Sequence, residues 1–354
     1  MSFKRMWALF MARNYEFIRD RAGFGWNILF PFLIVAGFGM MFSSDTASVL
    51  KLGVYPVSTH PQSGQVSVET LDIPERLIAN NYIKIVGFKT YDDAIDKVVH
   101  HKIDLLLENG KSPLTYWVNE SSPKGRILEK LVKESIVEDA VFEGRLAKNQ
   151  IQGDKIRYID WLFPGIIGMN IMFSSLFGVG FVIVRYRRIG VLKRLKATPV
   201  TAFEYLTAQM ASRVLVMLFS SAVVWFGSDL FFHFRMQGSY FDVFWVFFVG
   251  TLCLVSMGLV VASRGTSEEL SNGIINFISW PMMFLSEVWF SVEGSSEWVK
   301  TVAKIFPLTH FLSAARKIIN DGADLTQIAP ELTILLGMTC LFLVIGSALF
   351  SWTK

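Results

Sequence analysis

Apolar residues in this chain gather into long unbroken blocks, with charged residues confined to the stretches between them. A helix needs about 20 mainly apolar residues to cross roughly 30 Å of hydrocarbon. Phe24 to Phe42, Trp161 to Val184, Val243 to Ala262 and Leu332 to Trp352 meet that length without a charge, and Pro31 is expected to kink the first. Tyr205 to Phe232 predicts another span, with Arg213 near its start and Asp229 near its end, where long side chains reach headgroups and water. Gly273 to Leu285 is uncharged over too short a length and contains Pro281, and the stretch after it mixes apolar residues with Glu287, Glu293, Glu297, Lys300 and Lys304. It reads as a fifth span, 273–292, running into broken or re-entrant helices to about residue 320. Such helices are tolerable only where protein or water covers the backbone. The expectation is six spans: 24–42, 161–184, 205–232, 243–262, 273–292 and 328–352.

Between the first two blocks the pattern changes. Residues 43–160 carry many charges of both signs and are too polar for lipid. Short β-rich runs (VLKLGVYPV, NYIKIVGF, IDLLLE, LTYWVN) alternate with YDDAIDKVVHHK and ILEKLVKESIVEDAVFEGRLAKN, whose apolar residues recur at helical spacing. This predicts a small soluble α/β domain. The fold class is therefore a mainly α membrane protein carrying one α/β insertion. Residues 1–23 place Phe3, Met6, Trp7, Phe10 and Met11 among bases, the pattern of a helix lying in the membrane interface. Its apolar run is too interrupted for a signal peptide. The halves show no internal repeat, so nothing points to the inverted repeats of many secondary transporters.

Composition agrees: 52% of the 354 residues are hydrophobic and only 18% charged, with 31 Phe and 10 Trp. Two cysteines, both in apolar blocks, exclude a disulfide framework and a cysteine metal site. Basic residues set the orientation. Lys4, Arg5, Arg13, Arg19 and Arg21 face only Glu16 and Asp20 in the N-terminal segment, and Arg185, Arg187, Arg188, Lys193, Arg194 and Lys196 face only Glu204 in the loop 185–204. Six spans put both segments on one side, the cytoplasm, and put 43–160 outside it. Arg316 and Lys317 then lie toward the outer side, alongside Asp321 and Asp324.

Within that loop, GVLKRLKATP places Val191, Leu192 and Leu195 at helical spacing after Gly190 and stops at Thr198-Pro199, since proline restricts the residue before it. Further on, Pro281, Phe284, Leu285 and Ser286 precede Pro307, Leu308, Thr309 and Arg316. Together, in this order, these stretches resemble the membrane subunits of ABC-2 type exporters, over the whole chain. In that family a short helix between the second and third spans docks on a separate nucleotide-binding subunit. The resemblance assigns that role to Arg188, Gly190, Val191, Leu192, Arg194, Leu195, Thr198 and Pro199. This chain has YRRI where the family often has acidic residues before the glycine, and Glu287 where a glycine is usual. The resemblance also implies a dimer of identical or related permeases, an ABC ATPase partner holding ATP and Mg, contact with membrane lipid, room for a periplasmic adaptor, and residence in a bacterial inner membrane. It implies no cofactor on this chain and no nucleic-acid partner.

The remaining chemistry is sparse. Gly110-Lys111-Ser112 lacks the glycine that a phosphate-binding loop needs five positions earlier, where Leu105 stands, and reads as a surface turn. His100, His101 and Asp104 share a helix face but specify no further metal ligand, so no metal is expected. Arg213, Asp229 and Glu287 are the ionisable groups nearest the membrane interior. Their scarcity argues against ion coupling and for an amphipathic or lipid-like cargo, with Phe173, Phe177, Trp280, Met283 and Phe284 as candidates to line its route. The alternative is a membrane-anchored receptor or scaffold whose 43–160 domain binds a ligand.

Overall fold

The computed structural model describes residues 2–42, 50–56, 75–78, 80, 82–99, 103–110, 115–119, 122–135, 157–265, 267–291 and 296–352. The chain forms two compact units, Met1–Ser43 with Lys155–Lys354, and Ser44–Asp154.

In chain order the helices are α1 (Phe3–Arg19), α2 (Arg21–Phe42), α3 (Glu75–Ile78), α4 (Tyr91–Val99), α5 (Pro123–Ser135), α6 (Tyr158–Ser175), a π-helical segment (Leu176–Phe181), α7 (Val182–Arg188), α8 (Val191–Lys196), α9 (Ala202–Phe232), α10 (Tyr240–Arg264), α11 (Glu268–Leu285), α12 (Glu297–Ala303), α13 (Pro307–Asp321) and α14 (Ala329–Leu349). The strands are β1 (Leu50–Tyr55), β2 (Ile83–Gly87), β3 (Leu105–Glu108) and β4 (Tyr116–Val118).

Five stretches of the described chain are long and apolar enough to cross a membrane: Arg21–Met40, Tyr158–Arg188, Ala202–Phe232, Tyr240–Ser263 and Ala329–Leu349. The chain is thus a mostly helical, multi-pass membrane protein. The segment expected as a fifth span differs from its forecast. Its helix, α11, starts at Glu268 and stops at Leu285; of the expected 273–292, residues 286–291 are turn, bend and irregular chain rather than helix, and residue 292 is outside the described residues. Its 18 residues reach about 27 Å, but two carboxylates occupy its first turn. The re-entrant region resolves into α12 and α13, the latter starting on Pro307, where a missing N–H leaves no helical bond unmade.

Burial ranks the spans of the first unit. In α6 and α10 67% of the apolar window is buried, against 17% in α2 and α14, so the former pair is the core and the latter present broad faces outward. α10 packs against α14, the π segment, α13 and α9. The interfacial character of α1 is visible in Phe3 and Trp7, which stack on one another and remain 69% and 52% exposed.

The second unit is a four-stranded sheet of order β2-β1-β3-β4, parallel except for β4. On β3, Leu105 and Leu107 join a cluster with Leu128 and Val132 of α5, while Leu106 joins Ala94 and Val98 of α4 on the opposite face. A strand covered on both faces reads as a continuous apolar run, as LLL does. Of the histidine face weighed above, His100 and His101 lie outside the described residues. Asp104 accepts the Lys51 N–H at 2.7 Å and so braces β1. Gly110 adopts φ 74, as a turn requires, and Lys111 to Leu114 lie outside the described residues.

Candidate functional site

A cavity of about 790 Å³ opens in the membrane unit between α1, α2, the α6–α7 span and α11. Phe173, Phe177, Trp280 and Met283 line it. Phe284 lies beside that lining, stacked on Trp280 at 6.2 Å, and is 44% exposed. Trp26, Phe30 and Trp289 extend the aromatic wall. Its other end is polar, with Arg13, Glu16, Asp20, Arg185 and Arg213.

Between the two ends sits a hydrogen-bonded cluster centred on Asn27 of α2. Its side chain donates to Ser220 Oγ at 2.9 Å and accepts from Ser174 Oγ at 2.6 Å, and its backbone carbonyl accepts from Asn170 Nδ2 at 3.2 Å. In an apolar bundle such groups need partners, and here they fasten α2 to α6 and α9.

The polar end depends on a fault in the second span. In a π-helix the i→i+5 pattern displaces carbonyls from their usual α-helical donors. Two arginines take up carbonyls in and next to this segment. Arg213 of α9 donates Nε to Ser174 O at 2.8 Å, and its Nη2 contacts the same oxygen. Arg13 of α1 donates Nη2 to Gly178 O at 3.2 Å and Nη1 to the Tyr186 hydroxyl at 2.9 Å. Gly178 makes the approach feasible, because a Cβ there would lie 2.2 Å from Arg213 Cζ. The guanidinium also stacks over Phe17, 5.4 Å from its centroid. The sequence singled out Arg213 both as near the start of its span and as one of the ionisable groups nearest the membrane interior. The signal for its depth is its place about eleven residues into α9, roughly 16 Å from the start of that helix.

The loop expected to dock on an ATPase forms the short helix α8, introduced by Gly190 at φ 78, where glycine avoids a Cβ clash. Leu192 does not face outward. It is fully buried with Ile183, Tyr205, Leu206, Leu259 and Ala262, and so roots α8 in the bundle. Leu195 and Val200 pack partly against the same cluster, and Val191 is half-buried. The exposed face consists of Lys193, Arg194, Lys196, Ala197, Thr198 and Pro199, with Ile189 nearby at 53% exposure. Thr198 Oγ1 closes the helix on Leu195 O at 2.6 Å.

The two arginines before Gly190 serve the bundle. Arg187 donates Nη2 to Ala262 O at 3.0 Å and Ser263 O at 3.2 Å, Nε to Ser351 O at 3.1 Å, and Nη1 to Gly265 O, capping the C-terminal carbonyls of α10. Arg188, expected on the docking face, lies 3.4 and 3.6 Å from Glu268 and Glu269, which open α11. Beyond α8, Thr201 and Glu204 form a capping box on α9. Glu204 is fully buried and accepts the Ser2 N–H at 2.7 Å and Arg5 Nη2 at 3.3 Å, while Arg5 also donates to Pro199 O. Thus α1 and the loop lie at the same end of the unit and are tied together.

The second motif also closes in space. Ser286 Oγ meets Thr309 Oγ1 at 2.9 Å, and Thr309 donates to Ala303 O at 2.6 Å. Pro281 lies inside α11, Leu285 near its end is half-buried, and Leu308 is fully buried. Glu287 takes φ 59, the left-handed conformation that glycine adopts most readily and that follows many helix C-termini. Arg316 holds it there, donating to Glu287 O at 2.6 Å and Trp161 O at 3.2 Å, pairing with the Glu287 carboxylate at 3.6 Å and lying 3.9 Å over the Trp161 ring.

The profile described as ABC-2 family transporter protein matches residues 21–348, and no curated protein matches the chain. The match takes in α2 through most of α14, and with them most of the cavity lining, α8 and the Ser286–Thr309 junction. Membership implies a partnership with an ABC ATPase subunit. This chain, a multi-pass membrane protein, belongs to the ABC-2 family of transporter proteins.

Proposed function

We propose that the chain is the transmembrane subunit of an ATP-driven exporter that moves an amphipathic or lipid-like small molecule out of a bacterial cytoplasm across the inner membrane. It works as a dimer with two separate nucleotide-binding subunits that bind and hydrolyse ATP with Mg and supply the ATPase site. The observation that carries the reading is α8: basic and solvent-facing on one side, rooted by Leu192 among residues of α7, α9 and α10 on the other. A force on its exposed face reaches those spans through the packed Leu192. Through Glu204 the same force reaches α1, which borders the cavity. A partner's ATP cycle shifts the permease only by contacting two of its conformations differently, and α8 with α1 is the surface for that contact. α11 serves as the sixth crossing, which leaves Ser44–Asp154 on the extracytoplasmic side.

The test is to extract the tagged chain in mild detergent from its native membrane and assay co-purified ATPase activity, for wild type and for a K193E/R194E/K196E variant. These three side chains are exposed, so the variant should fold, unlike one altered at Leu192. A stoichiometric ATPase that the variant loses is the expected result. An ATPase retained by the variant moves docking elsewhere. A chain recovered alone under several gentle conditions overturns the exporter reading in favour of a receptor or scaffold.

A further inference from the structure

The charges at the polar end of the cavity do not balance. Glu16 is occupied by Arg13 at 2.8 Å and by the Tyr186 hydroxyl. The Asp20 carboxylate accepts the Gly23 N–H at 3.0 Å. Arg185 and Arg213 both line the cavity, and among the described residues neither has a carboxylate partner. Arg185 is exposed and makes no side-chain hydrogen bond to a described residue, so it has no visible structural duty. Arg213, which lines the cavity, is held in place by Ser174 O through Nε and Nη2, and its Nη1 makes no hydrogen bond to a described residue. An unpaired guanidinium within an apolar bundle, as at Arg213, is costly, and such groups in membrane proteins mark substrate and ion pathways. Guanidinium also matches the paired oxygens of phosphate, sulfate and carboxylate.

From these charges we infer that the cavity binds an amphiphile with an acidic head group. The head sits between Arg213 and Arg185, and the apolar tail lies along Phe30, Trp26 and Trp280. A space of about 790 Å³ falls in the range of small-molecule sites. Immobilising Arg213 before the ligand arrives lowers the ordering cost of binding. A cationic amphiphile meets repulsion at this end, and a neutral one leaves the excess of three guanidinium groups over Glu16 and Asp20 uncompensated. Calling the occupant cargo rests on the exporter reading, whereas the binding itself does not.

The experiment therefore uses the full chain without any ATPase, in phosphatidylcholine nanodiscs. Trp26, Trp280 and Trp289 line the cavity and serve as energy donors to a bound dansyl-labelled undecanoate. Displacement is measured with dodecyl phosphate and with dodecyltrimethylammonium. The phosphate should displace the probe at a concentration at least about tenfold lower, and R185Q and R213Q should each cut that preference about tenfold, the loss of one charge-assisted contact. R213K should retain part of it. Because Arg185 is exposed, R185Q keeps the test valid if R213Q fails to fold. Equal displacement by the two amphiphiles, or an unchanged preference in R185Q, overturns the inference, as does displacement by inorganic phosphate at the same concentration. Adding phosphatidylglycerol separates the sources of the head group: competition assigns the site to a bilayer lipid, its absence to a single-chain amphiphile. If anion preference holds but no ATPase co-purifies, the site stands and the exporter reading falls. If an ATPase co-purifies and the preference is absent, the reverse holds.

Discussion

Gly178→Ala tests the arrangement on which the polar end of the cavity depends. The added Cβ would sit 2.2 Å from Arg213 Cζ and from Nε, and 2.5 Å from Nη2. All three atoms belong to a flexible side chain, so the backbone need not move and the guanidinium swings away. What is lost is its bonding to Ser174 O and its stacking on Phe17. A hydrogen bond from a charged donor contributes about 1.5–3 kcal/mol. Replacing glycine by alanine within a helix returns roughly 0.5–1 kcal/mol. The net is a destabilisation of roughly 0.5–2.5 kcal/mol. The argument carries a change of sign as its check. In an Arg213→Ala background the three atoms nearest the added Cβ are gone, so the same substitution should stabilise, by roughly 0.5–1 kcal/mol. The assay is reversible unfolding in mixed detergent micelles, followed by tryptophan fluorescence, for the four members of the cycle, whose coupling isolates the pair. Destabilisation of equal size in both backgrounds would refute the reasoning and move the role of Gly178 from Arg213 to the backbone of the π segment.

Three further outcomes follow from single contacts. Glu204→Ala removes the acceptor shared by Ser2, Arg5 and Thr201; it should cost roughly 2–4 kcal/mol and speed tryptic cleavage after Arg5 and Arg13, read by mass spectrometry, as α1 is released. Arg187→Gln uncaps α10 and should lower stability by roughly 2–3 kcal/mol, whereas Arg185→Gln, two residues away, should stay within about 0.5 kcal/mol of wild type. Glu287→Ala keeps the left-handed backbone and drops the pair with Arg316, so Glu287→Gly should be the more stable variant by about 1 kcal/mol; a Glu287→Gly protein that unfolds no later than Glu287→Ala would count against strain at this position.

What the sequence disclosed and what it hid divide along one physical line. Unbroken apolar blocks report on a helix by themselves, because spanning a bilayer is a property of the segment. The β-rich runs likewise lie where β1 to β4 form, since alternation and β-branching act locally. The family resemblance placed Leu192 on a docking face; GVLKRLK shows an apolar stripe, and a stripe alone does not say whether its cover is the same chain or another. The buried positions of Tyr205, Leu206 and Leu259 decide it, and they come from other parts of the chain. Arg187 and Arg188 raise the same difficulty: a run of bases reads as a solvated loop, yet one caps α10 and the other faces α11. Asn27, Asn170 and Ser174 were passed over inside uncharged spans, although a side-chain amide there is a signal in its own right, because it must find partners where water is scarce. The π segment left no mark on hydropathy at all. Its LFGVGF is as apolar as its neighbours, and only the glycine beside Arg213, far away in sequence, betrays that a side chain from another helix enters there. Glu287 is the converse case, in which the departure from the expected glycine was legible. Its reason was not, until Arg316 showed what the carboxylate gains in exchange for the strained turn. A residue that departs from its family pattern at a left-handed position thus points to its own compensating partner, and in this chain that partner joins the second span, α11 and α13 at one side chain.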